Sequence, residues 1–275
     1  MKTLPVALQL YSVRDEMEAS PEETLRAVKE MGYTGVEFGG LYGHDAADLK
    51  AMCEKYELIP ISAHIPLNDM VKDPDGTIAP YAALGVKYVV MPYLDEDRRP
   101  GTDGFERTIA DVKHCAEAAK KYGIKMLYHN HDFEFVKING EYALDIIYRE
   151  ISEDLLATEI DTCWVKVAGE DPANYVRKYT NRSPIVHLKD FMLSGEKPAN
   201  MYELMGIEQE GETASEEAFG FRPLGLGLQD VPSLLEASLD AGALWVVVEQ
   251  DRPALGLTPM ESVQKSREYL KSLGW

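Results

Sequence analysis

The stretch Lys125-Met126-Leu127-Tyr128-His129-Asn130-His131 runs from apolar residues into polar ones. The same pattern returns in three later stretches, Leu156 to Thr162, Pro184 to Lys189 and Leu244 to Gln250. Strands of this kind are typical of parallel sheets that are covered on both faces, with polar groups gathered at the carboxyl ends. The four stretches therefore predict a parallel sheet whose functional residues lie along one edge.

Strand patterns alternate with helical patterns along all 275 residues, which favours a parallel sheet with crossover helices. We predict an α/β fold, a single-domain TIM (β/α)8 barrel over residues 1–275, with a long loop after strand 7. The eight predicted strands are Val6 to Ser12, Gly35 to Phe38, Pro60 to Ile65, Tyr88 to Tyr93, Lys125 to His131, Leu156 to Thr162, Pro184 to Lys189 and Leu244 to Gln250.

Two helix starts carry a strong local signal. Ser20-Pro21-Glu22-Glu23 and Thr258-Pro259-Met260-Glu261 both have the pattern of a capping box with proline at the first helical position. We expect a helix to begin at each of them.

The connection after Lys189 is unusually long, since about 40 residues precede the next clear helix near Asp230. Its polar, acidic part from Gly195 to Gly220 is predicted to be a lid over the mouth of the barrel. Gly225 and Gly227 then return the chain. We interpret them as a structural turn, and a phosphate cradle is the weaker alternative.

Charge and cysteine content restrict the partners and the compartment. A formal net charge of −19 disfavours nucleic acid and anionic membranes and favours a small neutral substrate. Three widely spaced cysteines, Cys53, Cys115 and Cys163, argue against a disulfide framework. Neither a signal peptide nor an apolar run of membrane-spanning length is recognisable. We expect a cytoplasmic protein.

Imidazole and carboxylate groups lie at the ends of the last four predicted strands. His129, Asp161, His187 and Glu249 together form the mixed nitrogen and oxygen ligand set that transition-type dications accept. A single histidine on a strand is more often a hydrogen-bonded core residue, but several strands ending in this way favour a metal site. Buried unpaired charge is costly, and a dication would compensate it.

Short fragments along nearly the whole chain carry a family resemblance. They are Leu8 to Arg14, Gly35 to Phe38, Ser62 to His64, Tyr128 to Phe135, Val186 to Asp190 and Val248 to Asp251. In this order the chain resembles the xylose isomerase-like TIM-barrel superfamily, which includes sugar phosphate isomerases and epimerases. The fragments point to the superfamily rather than to one reaction.

The resemblance implies a divalent ion, such as Mn, Co, Fe, Zn or Mg, held by a Glu, an Asp, a His and a second Glu. Three of these positions fall on Asp161, His187 and Glu249. The first Glu position falls on His129. Three alternatives for the fourth ligand stay open, namely His129, His131 and a carboxylate from Glu134 that reaches back.

The activity that the resemblance implies is that of a metal-dependent sugar isomerase or epimerase, which removes a proton next to a carbonyl to form an enediolate. Glu249 is the expected base, and His129 or His131 is the second proton carrier. Lys189 either assists an oxyanion or leaving oxygen, or forms a buried ion pair with Glu159 or Asp161.

Two other functions are retained as alternatives. The first is a metal-dependent lyase or dehydratase on an inosose, a 3-keto-sugar or a 3-keto-glycoside, which the histidine at 129 favours. The second is a non-catalytic sugar-binding or partner subunit. The expected partner is a small-molecule carbohydrate, and association into a homo-oligomer is left open. The predicted substrate contacts are Glu37, His64, His131, Glu134 and Arg222.

Overall fold

The structure, a computed structural model, describes residues 2–198, 200–207, 215 and 218–275. Its strands in chain order are β1 Val6–Gln9, β2 Gly35–Phe38, β3 Ile59–His64, β4 Tyr88–Met91, β5 Lys125–His129, β6 Lys137–Ile138, β7 Glu141–Tyr142, β8 Leu156–Asp161, β9 Ile185–Leu188, β10 Asp190–Leu193, β11 Phe219–Arg222 and β12 Trp245–Val248. Parallel pairing closes β1, β2, β3, β4, β5, β8, β9 and β12 into a barrel, and β6–β7 and β10–β11 form two small antiparallel sheets. The predicted TIM barrel is confirmed.

Helices connect the barrel strands on the outside. They are α1 Arg14–Ala19, α2 Pro21–Met31, α3 Ala46–Lys55, α4 Leu67–Lys72, α5 Pro74–Leu84, α6 Phe105–Lys121, α7 Ala143–Glu150, α8 Thr162–Val167, α9 Pro172–Lys178, α10 Val231–Asp240 and α11 Pro259–Ser272. Short 3-10 helices occupy Leu10–Val13, Glu96–Arg98, Phe133–Phe135 and Met201–Met205.

The inside of the barrel is filled with apolar side chains below the polar rim. This layer is Ala7, Ile61, Val90, Leu127, Ala157, Ile185 and Val247. Residues two positions apart on a strand point to the same face. The strand positions two residues after Leu127, Ala157, Ile185 and Val247 are therefore directed into the barrel as well. They are His129, Glu159, His187 and Glu249.

Several strands end before their predicted limits. β1 stops at Gln9 because Leu10–Val13 turns into a 3-10 helix, and β5 stops at His129. The last residue pair between β5 and β8 joins His129 to Glu159. Beyond that pair the backbone leaves the sheet, so Asn130 and His131 belong to a rim loop.

The long connection after β9 contains more structure than a bare loop. β10 pairs with β11, and the Asp190 carboxylate accepts hydrogen bonds from the backbone N–H groups of Gly225, Gly227 and Gln229 at 2.9, 3.1 and 3.0 Å. These amides are already bonded, so Gly225 and Gly227 form a structural turn and not a phosphate cradle. Part of the predicted lid, residues 199, 208–214 and 216–217, lies outside the described residues.

One of the two predicted capping boxes is confirmed. The Thr258 hydroxyl accepts from the Glu261 N–H, and the Glu261 carboxylate accepts from the Thr258 N–H. At Ser20 the predicted helix start with Pro21 at the first position is confirmed, but the capping box is wrong, because the Ser20 side chain makes no capping bond. Ser20 also ends α1, and its N–H donates to the carbonyl of Glu16, so its backbone is set by the junction of two helices.

The cysteine prediction is confirmed, since Cys53, Cys115 and Cys163 are buried and free. Within the described ranges, every helix is too short or too polar to cross a bilayer.

Candidate metal centre

Four side chains converge at the carboxyl ends of β5, β8, β9 and β12. His129, Asp161, His187 and Glu249 each offer one ligand atom, and these atoms all lie within 4.8 Å of one another. We call this group the first cluster. It is the ligand set predicted from the sequence, and all four residues are buried.

Three atoms of the first cluster lack the hydrogen-bond partners that burial normally demands. Asp161 Oδ1 accepts from the N–H groups of Cys163 and Trp164 at 2.8 and 3.1 Å, and this fixes Oδ2 toward the cluster. In the described part of the chain, neither Asp161 Oδ2 nor the ring nitrogens of His129 have a hydrogen-bond partner. Unsatisfied buried polar atoms are costly, and a divalent ion would satisfy these. The residues therefore fit a metal.

His187 links the first cluster to the opposite side of the barrel. Its Nδ1 lies 3.1 Å from Glu249 Oε2, whereas its Nε2 lies 2.7 Å from Glu37 Oε1. Burial lowers the pKa of His187, but the nearby carboxylates of Glu159 and Glu37 outweigh burial and raise it well above its ordinary value. Each ring nitrogen thus faces a carboxylate.

Lys189 is a buried ammonium beside the first cluster. Its Nζ lies 3.1 Å from Glu249 Oε2 and 3.9 Å from Asp161 Oδ2, and it contacts the carboxylate of Asp251. Burial lowers its pKa, but Asp251 and Glu249 outweigh burial and raise it well above the ordinary value. Lys189 therefore carries its charge, and its nearest partners are Glu249 and Asp251 rather than Glu159.

Neither alternative to His129 joins the first cluster. His131 stacks on Phe133 with ring centroids 5.4 Å apart, and burial lowers its pKa well below the ordinary value. Glu134 accepts from the Tyr128 hydroxyl at 2.8 Å and from the His131 N–H at 2.9 Å, and burial raises its pKa to about 7. Because its oxygens are engaged there, the geometry favours His129 as the fourth ligand.

A second group lies next to the first and shares His187. Glu37, His64, Glu159 and His187 also bring one ligand atom each within 4.8 Å of one another, and we call them the second cluster. The sequence predicts Glu37 as a substrate contact. It is instead completely buried, accepts from Gln9 Nε2 at 2.8 Å and contacts the Ser62 hydroxyl.

A cavity of about 340 Å³ opens beside the first cluster. Its lining is Tyr11, Gly39, His64, Pro66, Leu67, Asn68, Pro92, Tyr93, Asp95, Arg98, His129, His131, Lys189, Met205, Ile207, Glu249 and Asp251. This volume lies within the range of small-molecule sites. Met205 and Ile207 come from the predicted lid and cover part of the cavity.

Two of the five predicted substrate contacts, His64 and His131, line this cavity, and Glu37, Glu134 and Arg222 do not. Glu134 is turned toward Tyr128, and Arg222 ends β11 with its guanidinium donating to the carbonyl of Phe221. Sequence reasoning assigned no role to Asp251, although the polar end of the eighth strand was a usable signal. Asn68 lies in α4, Tyr93 and Asp95 lie in the loop after β4, and Arg98 ends a 3-10 helix; none of these positions offered such a signal.

An eight-stranded barrel with imidazole and carboxylate groups at the carboxyl ends of its strands defines the class of TIM-barrel proteins with a candidate metal site at the catalytic face. Residues 25–273 match the family model described as xylose isomerase-like TIM barrel, and the chain belongs to this family.

Similar proteins agree in fold but differ in their named activities. An inosose dehydratase from Lacticaseibacillus casei is 25% identical over 93% of this chain and 92% of that protein. A solved sugar phosphate isomerase/epimerase from Parabacteroides distasonis has a TM-score of 0.77 at 22% identity, covering 99% of this chain and 95% of its own. The structure of the IolI protein with a bound zinc atom has a TM-score of 0.72 at 16% identity, covering 98% of both chains.

Proposed function

We propose that the protein is a divalent-metal-dependent lyase that removes water or an alcohol from a cyclic sugar or inosose that carries a ketone. Curated relatives named inosose dehydratase support this reaction type along nine-tenths of the chain. The reaction shares its first step, removal of a proton next to the carbonyl, with the isomerases that the sequence first suggested.

The observation that carries this proposal is the pairing of Glu249 with Lys189 on the cavity wall, 3.1 Å apart. Elimination needs a base for the α-proton and an acid for the departing oxygen. The Glu249 carboxylate takes the proton, a carbon–carbon double bond forms, the β carbon–oxygen bond breaks, and the Lys189 ammonium protonates the oxygen that leaves. An epimerase needs a proton carrier on each face of one carbon. By the family resemblance, the superfamily's other glutamate falls at the position that His129 occupies here.

The bound ion would be held by His129, Asp161, His187 and Glu249 and would supply Lewis acidity at the substrate carbonyl. The chain itself orients these groups, because two backbone N–H groups fix Asp161. Met205 and Ile207 line one side of the cavity with apolar side chains. His131 and Tyr93 present ring edges and faces that suit contact with a sugar ring.

The proposal is tested by separating proton removal from elimination. Metal-loaded enzyme is incubated in deuterated water with an inosose, a 3-keto-glycoside and a ketose, and both deuterium uptake and the conjugated enone product are measured. We expect enone from the inosose or the glycoside. Glu249→Gln should abolish deuterium uptake and elimination, whereas Lys189→Met should retain uptake and lose most elimination, with metal content measured in each variant.

Different outcomes would reject the lyase. Interconversion of the ketose with its epimer or aldose, without enone, would establish an isomerase. Absence of both exchange and product on every substrate with a stoichiometric metal would establish a binding protein without this chemistry.

A further inference from the structure

We propose that the second cluster, Glu37, His64, Glu159 and His187, is a further divalent-cation site, with His187 facing one ion through each ring nitrogen. The proposal does not depend on the elimination reaction. It shares only His187 with the metal site of the proposed function.

The first argument is the arrangement of four ligand atoms. His64 Nε2 lies 2.8 Å from Glu159 Oε2 and 3.2 Å from Glu37 Oε1. His187 Nε2 lies 2.7 Å from Glu37 Oε1 and 3.3 Å from Glu159 Oε2. The two nitrogens and two oxygens therefore form a closed ring of four non-bonded contacts, in which nitrogen and oxygen alternate.

Hydrogen bonding accounts for only half of these contacts. An imidazole nitrogen carries at most one hydrogen, and each Nε2 here makes one short contact, at 2.8 Å for His64 and 2.7 Å for His187, yet each faces two carboxylate oxygens. A cation at the centre of the ring would use all four atoms. In a tetrahedral zinc shell with ligand distances of about 2.0–2.1 Å, ligand atoms lie about 3.3 Å apart, so each pair would separate by about 0.6 Å or less.

Charge supplies the second argument. The buried carboxylates of the two clusters and of the adjoining cavity wall are Glu37, Glu159, Asp161, Glu249 and Asp251. Lys189 is the one ammonium that contacts this group within the described residues. Four negative charges are left over, and two dications would neutralise these four, so that an imidazolate at His187 would leave a single negative charge. One ion in the first cluster, with His187 as its neutral ligand, would leave only a protonated His64 to balance Glu37 and Glu159.

Neighbouring side chains hold the ligand atoms of the second cluster in a fixed orientation. Gln9 Nε2 donates to Glu37 Oε1, and the Ser62 hydroxyl contacts Glu37 Oε2, so the carboxylate is held in one orientation. Such outer contacts are typical of metal ligands. Glu159 Oε1 is buried and has no hydrogen-bond partner in the described part of the chain, which leaves a further oxygen for a cation.

Sharing His187 has a chemical consequence. A neutral imidazole has one lone pair and one N–H, so binding an ion at Nδ1 and another at Nε2 requires loss of the remaining ring proton to solvent. His187 then bridges the ions as an imidazolate. Removing His187 should therefore affect both sites, whereas removing His64 should affect the second alone.

The test is metal stoichiometry. Chelator-treated protein is dialysed against saturating Co²⁺ and the bound metal is measured by elemental analysis. We expect two ions per chain in the wild type, one in His64→Ala, one in Asp161→Asn and none in His187→Ala. His114→Ala, on the exposed face of α6, is the matched control and should keep two.

One ion in the saturated wild type, or two ions that His64→Ala retains, would overturn the proposal. If the single ion were lost in Asp161→Asn and kept in His64→Ala, the first site would stand and the second would fall; the reverse pattern would reject the first. Anomalous scattering from wild-type crystals soaked in Mn²⁺ gives one peak or two and needs no variant to fold.

Discussion

Nε2 of His129 lies 3.3 Å from Oδ2 of Asp161, and both atoms lack a hydrogen-bond partner of good geometry among the residues the structure describes. A carboxylate at position 129 would have brought a third negative charge to the first cluster. The imidazole brings a lone pair without that charge. The ion in this cluster would therefore retain more positive charge to share with a substrate oxygen.

Asp161→Asn should weaken metal binding at the first cluster by about a hundredfold or more, because it removes one ligand charge and changes little in size. His129→Ala should weaken it less, since a neutral ligand is lost. Asp103→Asn, on an exposed turn, is the control. Isothermal titration with Mn²⁺ measures all three affinities, and equal affinity in Asp161→Asn and the control would contradict the ligand assignment.

Lys189→Met should destabilise the fold by about 3–5 kcal/mol, because Glu249 and Asp251 then lose their buried counter-charge. The double variant Lys189→Met/Asp251→Asn should recover part of this loss, since one of the stranded charges is removed. Urea unfolding of metal-free protein gives the free energies of unfolding. Additive losses in the double variant would show that the two side chains do not form a stabilising pair.

Glu134 should make stability depend on pH. Burial raises its pKa from 4.5 to about 7, so the folded state holds the proton more tightly than the unfolded state. Its favourable contribution is complete below pH 4.5 and is lost as the pH rises to 7, a change of about 3 kcal/mol. Glu134→Gln does not titrate, so its stability relative to the wild type should rise between pH 5 and pH 8.

The variant Glu153→Gln is the control for that measurement, because Glu153 is exposed and its substitution removes a carboxylate from the surface. A difference between Glu134→Gln and the wild type that stays constant with pH would disprove the proposed titration.

Thr258→Ala should cost about 1 kcal/mol, because the capping box at the start of α11 is lost. Ser20→Ala should cost much less, since the Ser20 side chain caps nothing at the start of α2. The two sites have the same sequence pattern, so thermal unfolding of this pair measures the hydrogen bond itself. Equal losses would mean that the pattern, and not the bond, determines the effect.

The barrel and the first cluster could be predicted because both depend on local patterns. His129, His187 and Glu249 each follow an apolar inward residue by two positions, so strand alternation alone directs them into the barrel. The predicted ends of the strands were less accurate. A strand gives way to a rim loop where the neighbouring strand ends and the pairing between them stops.

The rest depends on which distant strands meet. Glu37 contacts His187 across 150 positions of sequence, and only closure of the barrel brings them together. Arg222 was predicted at the site because it lies in the long connection, but pairing of β10 with β11 places it opposite Asp190. A single sequence carries no signal for this register.

The pairing of β10 with β11 also makes part of the catalytic face exchangeable. Leu193 and Phe219 are direct partners in an antiparallel ladder, so their Cα atoms lie about 5 Å apart. A replacement segment of almost any length could join two points so close together. Residues 194–218 can thus be swapped for those of a relative to retarget substrate choice, while the residues of both clusters, which lie outside this segment, are retained.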